Sequence, residues 1–291
     1  MNTQPKTRSD YAVGVILLVA SAVAFSSTGI FTKGVEAAAW AVIFWRGVFA
    51  SVSTTAYAAS RGALRKEFIE MGWSGLAVGI VGAVGTAALI PAFKLTDIAN
   101  VALIYASAPF LAALLAWLTI GERVLRRTAM GAAGALVGVV IIVAGSVGSV
   151  NLLGDGLAFI MTMVMATIMV IYRARPDTPS AGPSVLQSLF LFPLALVFGE
   201  PFRTAPVEIA ILAAFGIMHA IASVTLAEGA KRVPSGQTAL IGALETPLAP
   251  IFAFLILVEV PTTPTFIGGA VVFTAVLISL WEKPVGSVSN S

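Results

Sequence analysis

The chain has 291 residues, with 17 Lys and Arg against 14 Asp and Glu, one histidine and no cysteine. Hydrophobic residues make up 58% of it and charged residues 11%, where soluble globular chains carry about 25% charged. So few charges cannot dress a water-soluble globule, and lipid must be the solvent for most of the exterior. The missing cysteines exclude disulfides, cysteine-ligated zinc, Fe–S clusters and thiol nucleophiles. The net charge of +3 gives no ground for a nucleic-acid partner.

A helix crossing the roughly 30 Å hydrocarbon core needs about 20 mostly apolar residues. Runs of that kind predict ten spans, at 11–32, 38–60, 73–93, 97–119, 127–146, 153–172, 184–200, 207–227, 235–258 and 264–281. The runs are continuous rather than period-two, so a β-barrel is not expected. The connections are too short for a soluble domain. Lys6 and Arg8 precede an apolar stretch containing Ala22-Val23-Ala24, as in a secretory signal. That stretch continues through Ile30-Phe31, however, beyond the roughly 7–15 residues of a signal core. The first helix is expected to stay.

Orientation follows from where Lys and Arg fall. With the N-terminus inside, thirteen of the 17 lie in cytoplasmic segments, among them Arg61, Arg123, Arg173, Arg232 and Lys283. The outer segments hold only Lys33, Lys94 and Arg203, and Arg46 lies within a span. The alternation predicts a multi-pass protein of a bacterial-type inner membrane with both termini cytoplasmic.

Two stretches align at an offset of 138: Asn100 to Ala112, containing Ser107 and Pro109, and Thr238 to Pro250, containing Glu245 and Pro247. Each lies in the fourth span of a group of five, and each span ends near a glutamate, Glu122 or Glu259. Gly131 matches Gly268 in the fifth spans, and Lys33 matches Arg175 at the ends of the first. The chain reads as a tail (1–10), a first five-helix repeat (11–146), a linker (147–152), a second repeat (153–282) and a tail (283–291). Five is odd, so the repeats enter the membrane inverted, a hallmark of secondary transporters. Duplication that merely builds a stable bundle is the plainer alternative.

The two halves resemble the EamA domains of the drug/metabolite transporter superfamily. The resemblance rests on Trp45-Arg46 in the second span, on Ala106-Ser-Ala-Pro109-Phe-Leu-Ala-Ala-Leu-Leu running to Ile120-Gly121-Glu122-Arg123, and on Leu244-Glu245-x-Pro247. It covers about 12 to 282 and is most similar to the YddG-type bacterial amino-acid exporters. It implies an all-α integral membrane protein of ten helices around a central cavity, exporting small metabolites. Val258-Glu259-Val260 departs from the Gly-Glu-Arg form of the first half, which sets the two glutamates apart.

A charge near the bilayer centre costs about 2.5–3.5 kcal/mol on insertion scales, so each is a candidate for function. Arg46, about eight residues into its span, and Glu245, about ten into its own, both fall near the midplane at roughly 1.5 Å per residue. An arginine fork suits a carboxylate and an ionised glutamate suits an ammonium. The pair therefore predicts a site for a zwitterionic amino acid. Alternatively the two neutralise one another, or Arg46 fixes helix packing. His219 is similarly deep, and with Glu245 it is a proton-coupling candidate; a buried hydrogen-bonded imidazole is its other reading.

Asn100, Ile104, Ser107 and Leu111 share one helical face, and the repeat puts Thr238 beside Glu245 on the matching face. Two polar stripes lining one cavity are expected. Pro109 is expected to free the carbonyl of Tyr105, and Pro247 and Pro250 those of Ala243 and Thr246, as gating points or as static kinks. Phe25, Trp45, Tyr105 and Tyr172 are candidates to stack on a substrate; Trp40, Trp73 and Trp281 read as interfacial anchors. Gly75-x-x-x-Gly79 and Gly134-x-x-x-Gly138 predict close helix packing.

Phosphate-loop, His-Glu-x-x-His and Gly-x-Ser-x-Gly motifs are absent, so neither an ATPase, a metal site, an organic cofactor nor an enzyme is expected. The leading reading is an exporter of amino acids, aromatic and other neutral, and related metabolites by alternating access. Efflux of lipophilic cations, a channel and an intramembrane enzyme are the competing readings.

Overall fold

The computed structural model describes residues 8–96, 98–143, 151–257 and 263–280. Among them the chain forms thirteen α-helices and no strand. They are α1 (Arg8–Phe25), α2 (Thr28–Lys33), α3 (Ala39–Ser60), α4 (Gly72–Leu95), α5 (Ile98–Tyr105), α6 (Ala108–Ile120) and α7 (Arg126–Val143). There follow α8 (Leu152–Ala174), α9 (Ala181–Gly199), α10 (Pro206–Ala230), α11 (Ser235–Gly242), α12 (Glu245–Leu257) and α13 (Thr263–Leu280). A π-turn (Arg65–Ile69) precedes α4, and a 3-10 turn (Pro201–Arg203) follows α9.

The predicted stretches fall on these elements, three of them on helices broken once. In two the break precedes a proline. Pro109 is the second residue of α6, where it has no hydrogen bond to give up, and the Ser107 hydroxyl donates to the Ile104 carbonyl at 2.7 Å. Before Pro247 the chain breaks at Ala243–Leu244, and the Ala243 carbonyl accepts from the Thr246 amide at 3.2 Å. The expectation that this carbonyl stands free is therefore corrected: a tighter turn takes it up. The α1–α2 break has no proline; the hydroxyls of Ser26 and Ser27 bond the carbonyls of Val23 and Ala24 instead, competing with the helical ladder.

Among the described residues, seven stretches are long and apolar enough to cross a membrane, including the α1–α2 and α5–α6 pairs. The exterior carries exposed Leu118, Val197, Phe198 and Phe266, as a chain solvated by lipid does. Between apolar helices in lipid, close packing replaces the hydrophobic drive, so small residues carry the contacts. Buried alanines run through the main core, from Ala112 and Ala135 to Ala158 and Ala239. Gly138 lies against the Gly268 backbone where α7 meets α13, and Gly79 lies under Leu186 of α9. Gly75, by contrast, meets Met71 of its own helix end.

The packing pattern repeats when each half is exchanged for the other. Helix α3 packs on its counterpart α9, and α7 on α13; α4 packs on α8 as α10 packs on α1. One relation fails. Helix α11 packs on α6, whereas their counterparts α5 and α12 share no comparable contact among the described residues. Lys6, Val258-Glu259-Val260, Trp281 and Lys283 lie outside the described residues, as does 147–150 of the linker.

Candidate functional site

Between the halves lies a cavity of about 470 Å³, lined by helices from both. Its walls are mostly apolar, with Phe25, Leu89, Phe93, Met161, Met165 and Ile168 among them. Two polar groups interrupt that lining.

The first is built around Arg46, which is 2% exposed. Gly216 lets α10 close on α3 at this level, since a side chain there would meet Phe49 and the Arg46 carbonyl. The guanidinium donates from Nη2 to Thr86 Oγ1 of α4 at 3.1 Å and from Nη1 to His219 Nδ1 of α10 at 3.4 Å. Gln187 Nε2, on α9, donates to the same Thr86 oxygen at 2.8 Å and lies 3.4 Å from His219 Nε2. Ser223 Oγ approaches that nitrogen at 3.3 Å. The Arg46 guanidinium lies 5.5 Å from the Phe215 ring centre, and Phe25 meets the imidazole edge-on at 5.9 Å. Arg46 Nε has no partner, and among the described residues no carboxylate pairs with this cation.

The second is Glu245, half-buried at the start of α12. It forms no hydrogen bond or ion pair among the described residues. Tyr105 of α5 shares the cavity, and the hydroxyl of the adjoining Thr246 is buried without a partner. Arg46 and Glu245 therefore form no ion pair with one another, and each faces the same space without a counter-ion among the described residues.

Of the predicted site residues, Arg46, Tyr105, Tyr172, His219 and Glu245 line the cavity. Three others turn elsewhere. Asn100 donates to Thr96 at 3.1 Å, Ser107 bonds its own helix, and Thr238 donates to the Val233 carbonyl at 3.3 Å. Pro109 is buried in α6, Pro247 packs near Gly269, and Pro250 lies within α12. Trp45 is committed to the Pro201 carbonyl at 2.8 Å. Thr86, Gln187 and Ser223 join the site without a motif that singles them out in the sequence. Gln187 is one of two glutamines inside the apolar spans, which was the available signal. Gly82, a turn before Thr86, makes its room, since a side chain there would overlap the Gln187 carboxamide.

One end of the cavity is closed in two layers. Val78, Ile168, Tyr172, Ala227 and Ala230 form an apolar plug, and Lys231 Nζ lies 5.7 Å from the Tyr172 ring centre. Beyond it, Glu122 accepts from Arg173 Nε at 3.1 Å and from the Ser235 amide at 2.9 Å. Arg232 bridges Asp10 and Glu228 at 3.1 and 2.9 Å, and Tyr11 donates to Gln237 at 3.0 Å.

An apolar helical bundle with a duplicated packing pattern and a cavity between its halves that holds buried ionisable groups defines a membrane transporter as a class. Residues 12–144 and 150–281 each match the model of the EamA-like transporter family. The chain belongs to that family, within the drug/metabolite transporter superfamily. A solved crystal structure shares the fold at a TM-score of 0.78 and 19% identity, over 92% of this chain and 96% of the other. No curated protein matches the sequence.

Proposed function

We propose that the chain exports amino acids, aromatic and other neutral ones, and related small metabolites, by alternating access across a bacterial-type inner membrane. One observation carries the reading: a buried arginine without a carboxylate and a glutamate without a cation face one cavity. A zwitterion supplies both missing partners. Its carboxylate meets the Arg46 guanidinium, and its ammonium meets Glu245, with Tyr105 alongside. The volume, about 470 Å³, lies in the roughly 300–1,000 Å³ range of small-molecule sites. The apolar walls suit a bulky uncharged side chain, in keeping with the resemblance to the YddG-type amino-acid exporters.

The exchangeable packing pattern supports two inverted five-helix repeats, 11–146 and 153–282, making ten spans. The Lys and Arg distribution supports cytoplasmic termini, which puts the Glu122–Arg173 end inside. The described conformation then faces outward. Reversal closes α5 on α12 and parts α6 from α11, and substrate enters from the cytoplasm. Glu245 is the candidate proton carrier, because a proton and a substrate ammonium compete for the same carboxylate. That competition is the logic of an antiporter.

The test is counterflow in proteoliposomes preloaded with the twenty amino acids, followed by mass spectrometry with and without a pH gradient. Exchange of a neutral subset, lost in Arg46→Gln, is expected. Folded protein that exchanges none, yet moves lipophilic cations through Glu245, overturns the amino-acid reading in favour of cation efflux.

A further inference from the structure

We infer that His219 is a positioning residue: it holds the Arg46 guanidinium at the cavity wall by accepting a hydrogen bond at Nδ1, so that the group is preset for the substrate carboxylate. The inference rests on the reading of Arg46 as the carboxylate site. It gives His219 a different part from the proton carrier that its depth in the membrane suggests.

The assignment follows from what each group can donate. A guanidinium has five N–H donors, no acceptor, and keeps its proton in proteins. Its contact with His219 Nδ1 at 3.4 Å is therefore a hydrogen bond only when Nδ1 carries no proton. The ring proton then sits on Nε2, where Ser223 Oγ accepts it at 3.3 Å. The Gln187 carboxamide, 3.4 Å from the same nitrogen, accepts there too when it presents its oxygen. In that orientation its contact with Thr86 at 2.8 Å persists with the threonine hydroxyl donating. Arg46, Thr86, Gln187 and His219 thus close a ring drawn from α3, α4, α9 and α10, two helices of each half.

Protonating Nδ1 would set donor against donor and cation against cation. The surroundings offer no relief: α1 contributes Phe25, α3 Arg46, α4 Thr86, α9 Gln187 and α10 Ser223. The only carboxylate among the cavity-lining residues is Glu245. Contacts of 3.3–3.4 Å are long, as in binding networks that tighten when the ligand arrives. With Nη1 and Nη2 each tied, the guanidinium cannot rotate. Such preorganisation lowers the ordering cost of binding.

Two measurements test this. The chain has one histidine, so ¹⁵N-histidine NMR of the tag-free protein at pH 7 reports His219 alone. The expected signature is the Nε2–H tautomer, altered in Arg46→Gln. An Nδ1–H tautomer or an imidazolium overturns the inference whether or not a substrate is known. The second is phenylalanine counterflow. His219→Gln keeps an acceptor and a donor but holds no proton; KM within about threefold of wild type and an unchanged pH-gradient response are expected. His219→Leu is expected to raise KM roughly tenfold, the worth of about one hydrogen bond to a charged group, with kcat retained. Loss of gradient-driven transport in His219→Gln, or an unchanged KM in His219→Leu, overturns the role. Arg46→Gln run alongside separates the two claims, since an unchanged KM there defeats the carboxylate reading itself.

Discussion

The two ends of the bundle are built from corresponding pieces and are held differently. At the Glu122 end, α6 packs on α11, and the halves are tied by ion pairs, Arg173 to Glu122 and Arg232 to Asp10. At the other end, α5 and α12 stand apart beside Glu245. The ties between halves there are hydrogen bonds among the described residues: Thr96 to Asp155 at 2.8 Å, the Glu36 and Ala37 amides to Glu208, and Trp45 to Pro201. A duplicated architecture allows both ends the same packing; only one has adopted it. On the proposed alternating access, closure at one end is a choice between two similar arrangements, and the charge pairs, with the Arg173 side chain 5% exposed, would bias it.

The largest expected effect comes from unlocking the closed end. Removing one partner of a buried ion pair costs about 3–5 kcal/mol, enough to shift a two-state balance by roughly two to four orders of magnitude. In the cysteine-free chain, Met165→Cys places one thiol in the cavity lining at a partly exposed position. Adding Glu122→Gln should raise its labelling from the Glu122 end by about tenfold or more, with labelling from the opposite end reduced. Unchanged labelling would mean that the apolar plug alone sets the conformation.

Gly182→Ala sharpens the same contrast. Glu67 accepts from the Ala181 and Gly182 amides at 2.8 and 3.1 Å, joining the halves at the closed end. A side chain on Gly182 would overlap the Glu67 carbonyl. Overpacking of this kind costs typically about 1–3 kcal/mol, and a lowered melting temperature is expected. At the opposite end, Asp155→Asn keeps an acceptor for Thr96, so a loss below about 1 kcal/mol is expected from thermal unfolding. Arg203→Gln, which breaks an exposed ion pair with Glu200, should change stability by no more than roughly 0.5 kcal/mol.

How far the sequence reveals this depends on the kind of signal. Apolar runs mark the helices because lipid imposes a length on each. Prolines mark the α5–α6 and α11–α12 breaks, whereas Ser26 and Ser27 break the first span with no such flag. In the site, Arg46, His219 and Glu245 are legible because ionisable groups are costly in lipid and stay rare. Thr86 and Ser223 are not, because hydroxyls occur throughout spans and mostly bond their own helix, and Gln187 is marked only by its rarity. The shared face of Asn100 and Ser107 presumes an unbroken helix. The turn at Ala106–Ser107 ends that periodicity and sends the Ser107 hydroxyl back to Ile104.

The central claim is that one cavity takes both charged ends of its substrate. The direct test is counterflow of phenylalanine, its methyl ester and its N-acetyl derivative in the wild-type protein, side by side. The ester keeps only the ammonium and the N-acetyl compound only the carboxylate. Exchange of phenylalanine with neither derivative is the predicted result. Exchange of the ester as fast as phenylalanine would contradict it, leaving Arg46 a structural residue and the cavity a site for organic cations.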